Sequence, residues 1–76
     1  MFGRKGFLGI YEKIENKNLR LFIGGEAMSE IDGVIVERYT VLHDEEAVDE
    51  ILVLAGDNGD TYLVPVSEIK AIRIKK

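Results

Sequence analysis

The chain has 76 residues and a mass of 8.5 kDa, a length that allows one domain, residues 1–76. Its hydrophobic content of 46% excludes a disordered tail, and its formal net charge of −4 at pH 7 disfavours a nucleic-acid-binding role. The absence of cysteine excludes a disulfide framework, a thiolate metal site and a cysteine nucleophile.

The apolar stretch that follows Arg4 and Lys5 is shorter than the core of a signal peptide. No apolar run approaches the roughly 18 residues of a membrane span. We therefore expect a cytoplasmic protein that does not enter a membrane.

Short apolar runs alternate with turn-forming clusters, and valine and isoleucine together fill sixteen positions. This pattern is typical of a small all-β chain. It predicts strands at residues 7–14 and 19–23, joined as a hairpin by the asparagine-containing turn at residues 15–18. Residues 26–33 are predicted as a loop, with a helical turn at residues 27–31 as an option.

The middle of the chain is predicted as a third strand at residues 34–42, followed by residues 43–50, which carry five carboxylates in eight positions. We interpret this acidic block as a solvated loop. Residues 45–56 then fit either a helix that ends at Gly56 or a strand over residues 51–55. We favour the strand because Asn58-Gly59 between two apolar runs is a strong hairpin signal.

The end of the chain predicts two more strands. Residues 61–66 alternate, and Pro65 places that strand at a sheet edge or at a strand end. After Val66, the pair Ser67 and Glu68 is predicted to start a tight turn, and the spacing of Ile69 and Ile72 predicts a single 3₁₀ turn. That turn leads into a last strand, in which Ile72 and Ile74 share a face.

Residues 59–74, GDTYLVPVSEIKAIRI, resemble the end of a small SH3-like barrel, where a strand, one 3₁₀ turn and a short final strand shut the sheet. Barrels of the Sm-like and PRC-barrel families close in this way. The PRC-type resemblance adds the strand at residues 33–37 and the apolar run at residues 51–54, so it covers mainly residues 33–74.

The resemblance implies an all-β fold, a small and partly open SH3-like barrel of five or six antiparallel strands. The fallback is an α+β domain with one helix near residues 45–55. The resemblance to these families implies no particular function. The chain lacks the polar, Asn- or Asp-led nucleotide pocket and the matching Arg-Gly that an RNA-binding Sm domain would carry.

Two acidic segments are candidate cation sites. Residues 57–60 resemble part of a calcium loop, and residues 44–50 supply carboxylates for a divalent cation or a basic partner. A hairpin turn is the simpler explanation of the first segment, and a solvated loop is the simpler explanation of the second. We therefore assign no metal ligand.

The single histidine, His43, lies beside Asp44 and is the one candidate for proton transfer by an imidazole. Nucleophilic catalysis also needs a hydroxyl within reach of that base. The spacing of Ser29, Ser67, the two threonines and the three tyrosines links none of them to His43. We expect no catalytic residue, no bound cofactor and no enzyme activity.

Positive charge lies at both ends of the chain, in Arg4-Lys5 and in residues 72–76, and would form one basic patch if the ends met at a sheet edge. So few cations give weak, salt-sensitive binding to phosphates. The aromatic residues Phe22, Tyr39 and Tyr62 are candidates for stacking on bases, although they also suit an ordinary sheet.

These observations favour a non-catalytic interaction module that binds another protein or copies of itself. The first alternative is an Sm-like nucleic-acid-binding protein, and the second is a divalent-cation-binding protein.

Overall fold

A computed structural model describes residues 4–24 and 29–76. In chain order it contains helix α1 (Arg4–Ile14), strands β1 (Leu19–Ile23), β2 (Ser29–His43), β3 (Glu46–Gly56) and β4 (Thr61–Pro65), a 3₁₀ turn (Val66–Glu68) and strand β5 (Ile69–Ile74).

The five strands form one antiparallel sheet in the order β4-β3-β2-β1-β5. Among the described residues β4 and β5 do not pair with each other, so the sheet is open. The predicted small antiparallel fold with five or six strands is therefore confirmed with five. The fallback helix near residues 45–55 is wrong, because those residues belong to β3, as the Asn58-Gly59 hairpin signal indicated.

Strand β2 joins two halves of the sheet. Its first residues pair with β1 and its remaining residues pair with β3, and Gly33 is paired on both sides, with Leu19 and with Gly56. A Cβ atom added at Gly33 would overlap the carbonyl oxygen of Ala55. Glycine is thus required where the two halves meet.

The predicted strand at residues 7–14 is wrong, because these residues lie in α1. Phe7 and Ile14 are buried, and Leu8 and Tyr11 pack against the same core, which is the spacing of one helix face. The predicted hairpin with residues 19–23 is wrong as well, since β1 pairs with β2 and β5. The turn between the two elements keeps its expected chemistry, with Asn16 at φ 62°.

The core lies between α1 and the inner face of the sheet. Its buried apolar residues come from every strand, from α1 and from the 3₁₀ turn: Phe7, Ile14, Leu19, Leu21, Ile35, Leu52, Leu54, Val64, Val66 and Ile69. Because both halves of the sheet contribute to one cluster, the sheet curves around it, with register shifts in β1 and β2.

The predicted solvated loop at residues 43–50 is wrong in part. Only Asp44 and Glu45 form the turn between β2 and β3, both with positive φ, and β3 begins at Glu46. Paired positive φ values are what a two-residue hairpin turn requires. At the end of the block, the side chain of Glu50 is buried rather than solvated.

The predicted loop at residues 26–33 ends by Ser29, where β2 begins, so the optional helical turn at residues 27–31 is wrong from residue 29 onward. Residues 25–28 lie outside the described residues. The predicted strand at residues 61–66 and the predicted last strand are confirmed by β4 and β5. The 3₁₀ turn predicted from Ile69 and Ile72 is wrong in position, because the 3₁₀ turn is Val66–Glu68 and Ile69 already begins β5.

Candidate functional site

The free edge of β4 is apolar and uncharged. The strand sequence is TYLVP, and Leu63 is 69% exposed, the largest exposed fraction among the large hydrophobic residues described. Edge strands are usually protected by charged residues because their unpaired backbone groups are able to pair with another chain. Pro65 limits pairing only at the end of the strand.

The outer face of the sheet is also apolar on the two strands at this edge, β4 and β3, with the exposed Glu37 of β2 beside them. Leu63 lies opposite Val53, and Pro65 lies opposite Ile51, which in turn lies opposite Tyr39. Their neighbours in sequence, such as Leu52 and Val64, point into the core, so this row faces away from it. The apolar edge of β4 thus continues onto an exposed face.

The other free edge of the sheet, β5, is different. Lys70 and Arg73 lie within the strand, and Lys75 and Lys76 follow it. Positive charge along an edge opposes pairing with an identical edge. The two edges of the sheet therefore differ in their capacity to pair with a second copy.

Beside β5 lies a hollow of about 610 Å³, which we call the basic hollow. It is lined by Arg20, Arg73, Ile74, Lys75 and Lys76. Arg20 and Arg73 are directly opposite each other in the β1–β5 pair, and Ile74 is 45% exposed. The patch expected from the two chain ends is thus built from the C-terminal end and β1, while Arg4 lies elsewhere, against Glu50.

Two of the four cations of the basic hollow are already paired with carboxylates. The Nε and Nη2 atoms of Arg20 donate to Asp32 at 2.8 and 3.1 Å, and the Nζ atom of Lys75 lies 3.5 Å from Asp32 and 3.2 Å from Asp57. Hydrogen bonds from Arg20, together with its charge and that of Lys75, lower the pKa of Asp32 to about 2.

Arg73 and Lys76 form no ion pair within the described part of the chain. The basic hollow therefore offers two unpaired cations and an exposed isoleucine to a ligand. Two cations favour weak phosphate binding, and the nucleic-acid alternative stays a prediction.

At the far end of β2 and β3 lies the hairpin tip, residues 42–48, all of which are exposed. It combines three carboxylates, Asp44, Glu45 and Glu46, with two apolar residues, Leu42 and Val48, which are 62% and 53% exposed. The surface of the hairpin tip therefore carries both carboxylates and exposed apolar side chains.

Two carboxylates of the acidic block, the half-buried Asp49 and the buried Glu50, accept hydrogen bonds from other elements. Glu50 is 1% exposed and accepts hydrogen bonds from the Nε atom of Arg4 at 3.0 Å and from the Oγ1 atom of Thr40 at 3.0 and 3.1 Å. Asp49 accepts from the backbone N–H and the hydroxyl of Ser67 at 3.2 and 2.7 Å. These contacts fix α1 and the 3₁₀ turn to β3.

The sequence candidates for a cation site are not brought together. Within residues 4–24 and 29–76, no group of three or more metal-ligating side chains is close enough to hold an ion. In the turn at residues 57–60, Asn58 accepts from the backbone N–H of Asp60 at 3.0 Å and donates to the hydroxyl of Tyr62 at 2.8 Å. The predicted hairpin turn is confirmed there.

His43 is exposed, and its Nε2 atom lies 3.4 Å from Asp44. The hydroxyls considered as nucleophiles lie in other contacts, with Thr40 bonded to Glu50 and Ser67 bonded to Asp49. The structure therefore does not assemble His43 and a hydroxyl into a catalytic pair.

The three aromatic candidates for base stacking are not on one surface. Tyr62 packs against the core, whereas Tyr39 lies on the outer face, where its hydroxyl donates to Glu37 at 2.7 Å. Phe22 is half-buried in β1, two residues from Arg20. None of the three lines the basic hollow.

Sequence reasoning missed Arg20 as part of the basic hollow, although its position in an alternating strand placed it on the outer face.

The one helix of the described residues, α1, is too short and too polar to span a bilayer. Comparison of the chain with family models, curated proteins and solved structures finds no match in any of the three.

Proposed function

We propose that the chain is a non-catalytic interaction module that associates with further copies of itself through the edge of β4. The observation that supports this most directly is an edge strand without a single charged residue, exposing Leu63. The resemblance to SH3-like barrels belongs to the same proposal, and the order of the strands with a 3₁₀ turn before β5 supports it.

A second copy is the partner that fits this edge best. Two β4 strands related by a two-fold axis meet without charge repulsion, whereas two β5 strands would bring Lys70 and Arg73 close to the same cations of the partner. Pairing of β4 with β5 of another copy is the other allowed arrangement. The first arrangement gives a dimer, and the second gives a ring or a filament.

Sedimentation velocity of the purified chain over a range of concentrations tests the proposal. We expect a mass above that of one chain. At high ionic strength, where contacts between surface charges are screened, two chains indicate contact between two β4 strands and a larger closed number indicates contact between β4 and β5. A monomer at every concentration would overturn the proposal.

The variant Leu63→Lys adds a charge to the edge and is expected to shift the chain to the monomer. Val36→Lys is the matched control, because Val36 is 56% exposed but lies in β2, an interior strand. The edge contact predicts that Val36→Lys still assembles. If both variants are monomeric, the outer face rather than the edge makes the contact.

A further inference from the structure

The proposed self-association leaves two exposed regions of opposite charge unused. The basic hollow presents Arg73 and Lys76 without carboxylate partners in the described chain, next to the exposed Ile74. A ligand that fits it would carry negative charge together with apolar groups.

The hairpin tip has this composition. Its carboxylates at Asp44, Glu45 and Glu46 lie around the exposed Leu42 and Val48. An apolar side chain at the end of a projecting hairpin is not buried by the core of its own chain. Its apolar surface is removed from water only when another molecule covers it.

The hairpin tip and the basic hollow cannot meet within one chain. Ile74 is opposite Leu19, and Leu19 is opposite Gly33, whereas His43 lies ten residues further along β2. Ten residues of extended strand span about 30 Å. This separation is comparable to the longest dimension of the molecule, 37 Å.

We infer that the hairpin tip of one copy docks in the basic hollow of another copy. This inference rests on the proposed self-association and adds a second contact surface to it. The contact joins two different surfaces, so it is head-to-tail and extends an assembly beyond the contact at the β4 edge. Exposed ion pairs contribute little each and are screened by salt, so the contact weakens as ionic strength rises.

Zero-length cross-linking with a carbodiimide tests the contact directly in an equal mixture of ¹⁴N- and ¹⁵N-labelled chains. This reagent joins a lysine amine to a carboxylate that touches it. We expect mixed-isotope peptides that link Lys76 to Asp44, Glu45 or Glu46. Mixed-isotope links that join Lys76 only to other carboxylates, or no such links at all, would overturn the inference.

Charge reversal gives a second test by sedimentation. Glu45→Lys with Glu46→Lys makes the hairpin tip basic, and Arg73→Glu with Lys76→Glu makes the basic hollow acidic. Each double variant alone is expected to associate about tenfold more weakly than the unmodified chain, and an equal mixture of the two is expected to recover association.

Matched controls carry the same change in net charge at exposed positions outside both regions. Glu12→Lys with Glu15→Lys matches the hairpin-tip variant, and Lys13→Glu with Lys17→Glu matches the basic-hollow variant. Neither control is expected to weaken association. If the controls weaken it equally, net charge is the cause and the docking contact is wrong.

The two proposals fail separately. If Leu63→Lys abolishes assembly while the charge reversals have no effect and no Lys76 link forms, the edge contact stands and the docking contact falls. If the basic-hollow variant instead loses gel retardation of a single-stranded oligouridine while assembly is unchanged, the hollow binds nucleic acid and the docking contact is overturned. A chain that is monomeric and forms no mixed-isotope link overturns both.

Discussion

Asp32 holds two cations at once on the outer face of the sheet, Arg20 and Lys75. Its pKa in the folded chain is about 2, below the value of roughly 3.9 for an unperturbed aspartate. The stabilising effect of its charged form is therefore complete above about pH 4 and is lost as the pH falls through about 2.

We expect Arg20→Gln to raise the pKa of Asp32 most of the way to its ordinary value, since Arg20 is the main cause of the lowering. The loss of stability on acidification then becomes smaller and is complete at a higher pH, because the pKa values of Asp32 in the folded and unfolded chain lie closer together. Nuclear magnetic resonance titration of the Asp32 carboxyl carbon measures this, with Lys17→Gln as the control. A pKa that stays at about 2 in Arg20→Gln would contradict the assignment.

Glu50 is a buried carboxylate whose cationic partner, Arg4, lies on α1. Removing the cation by Arg4→Met leaves the buried charge with only the hydroxyl of Thr40. This change is expected to lower the free energy of unfolding by about 1–3 kcal/mol. The double variant Arg4→Met with Glu50→Met removes both charges and is expected to recover most of the loss in urea denaturation. A double variant less stable than either single variant would refute this account.

At the scale of elements, α1 carries two glycines, Gly6 and Gly9, that no contact requires. An added Cβ atom at either position meets nothing within 4 Å. Glycine inside a helix costs roughly 1 kcal/mol relative to alanine. The helix is thus held by its buried residues rather than by its own propensity.

We therefore expect Gly9→Ala to raise the free energy of unfolding by about 1 kcal/mol in urea denaturation. Gly33→Ala is the contrasting substitution. It is expected to destabilise the chain, because its Cβ atom would overlap the Ala55 carbonyl oxygen. Equal effects of the two substitutions would contradict the difference in space around the two glycines.

The sequence predicted well the turns that connect these elements. Asn16 and the Asn58-Gly59 pair adopt turns because their backbone preferences act over a few residues. Helix α1 was not predicted, because its glycines disfavour a helix. Glu12 nevertheless interrupts the apolar alternation that a strand over residues 7–14 would show. The helical spacing of Phe7, Tyr11 and Ile14 was the competing signal.

Contacts between distant residues could not be predicted in the same way. Glu50 is buried because α1 places Arg4, which is 46 residues away in the sequence, beside its carboxylate. No residue near Glu50 in the sequence indicates this ion pair. The basic hollow was anticipated only at its C-terminal end. Arg20 joins it because β1 pairs with β5, whereas the sequence pattern predicted only a hairpin of β1 with residues 7–14.

At the scale of the whole molecule, the core is small. A chain of this length buries only roughly 60% of the surface that its unfolded form exposes. Six large hydrophobic side chains remain exposed in the described residues, and five of them lie on β2, β3 and β4: Val36, Tyr39, Leu42, Val48 and Leu63. Association that covers such residues would stabilise the folded state.

If copies bind each other only when folded, the midpoint of thermal unfolding must rise with protein concentration. For a dimer, a hundredfold increase in concentration is expected to raise the midpoint by about 5–10 °C. Differential scanning calorimetry measures this for the unmodified chain and for Leu63→Lys. The unmodified chain is expected to show the rise and the variant is not, because a charge at the β4 edge removes the contact. A midpoint independent of concentration in both proteins would mean that the exposed apolar face is not covered by a second copy.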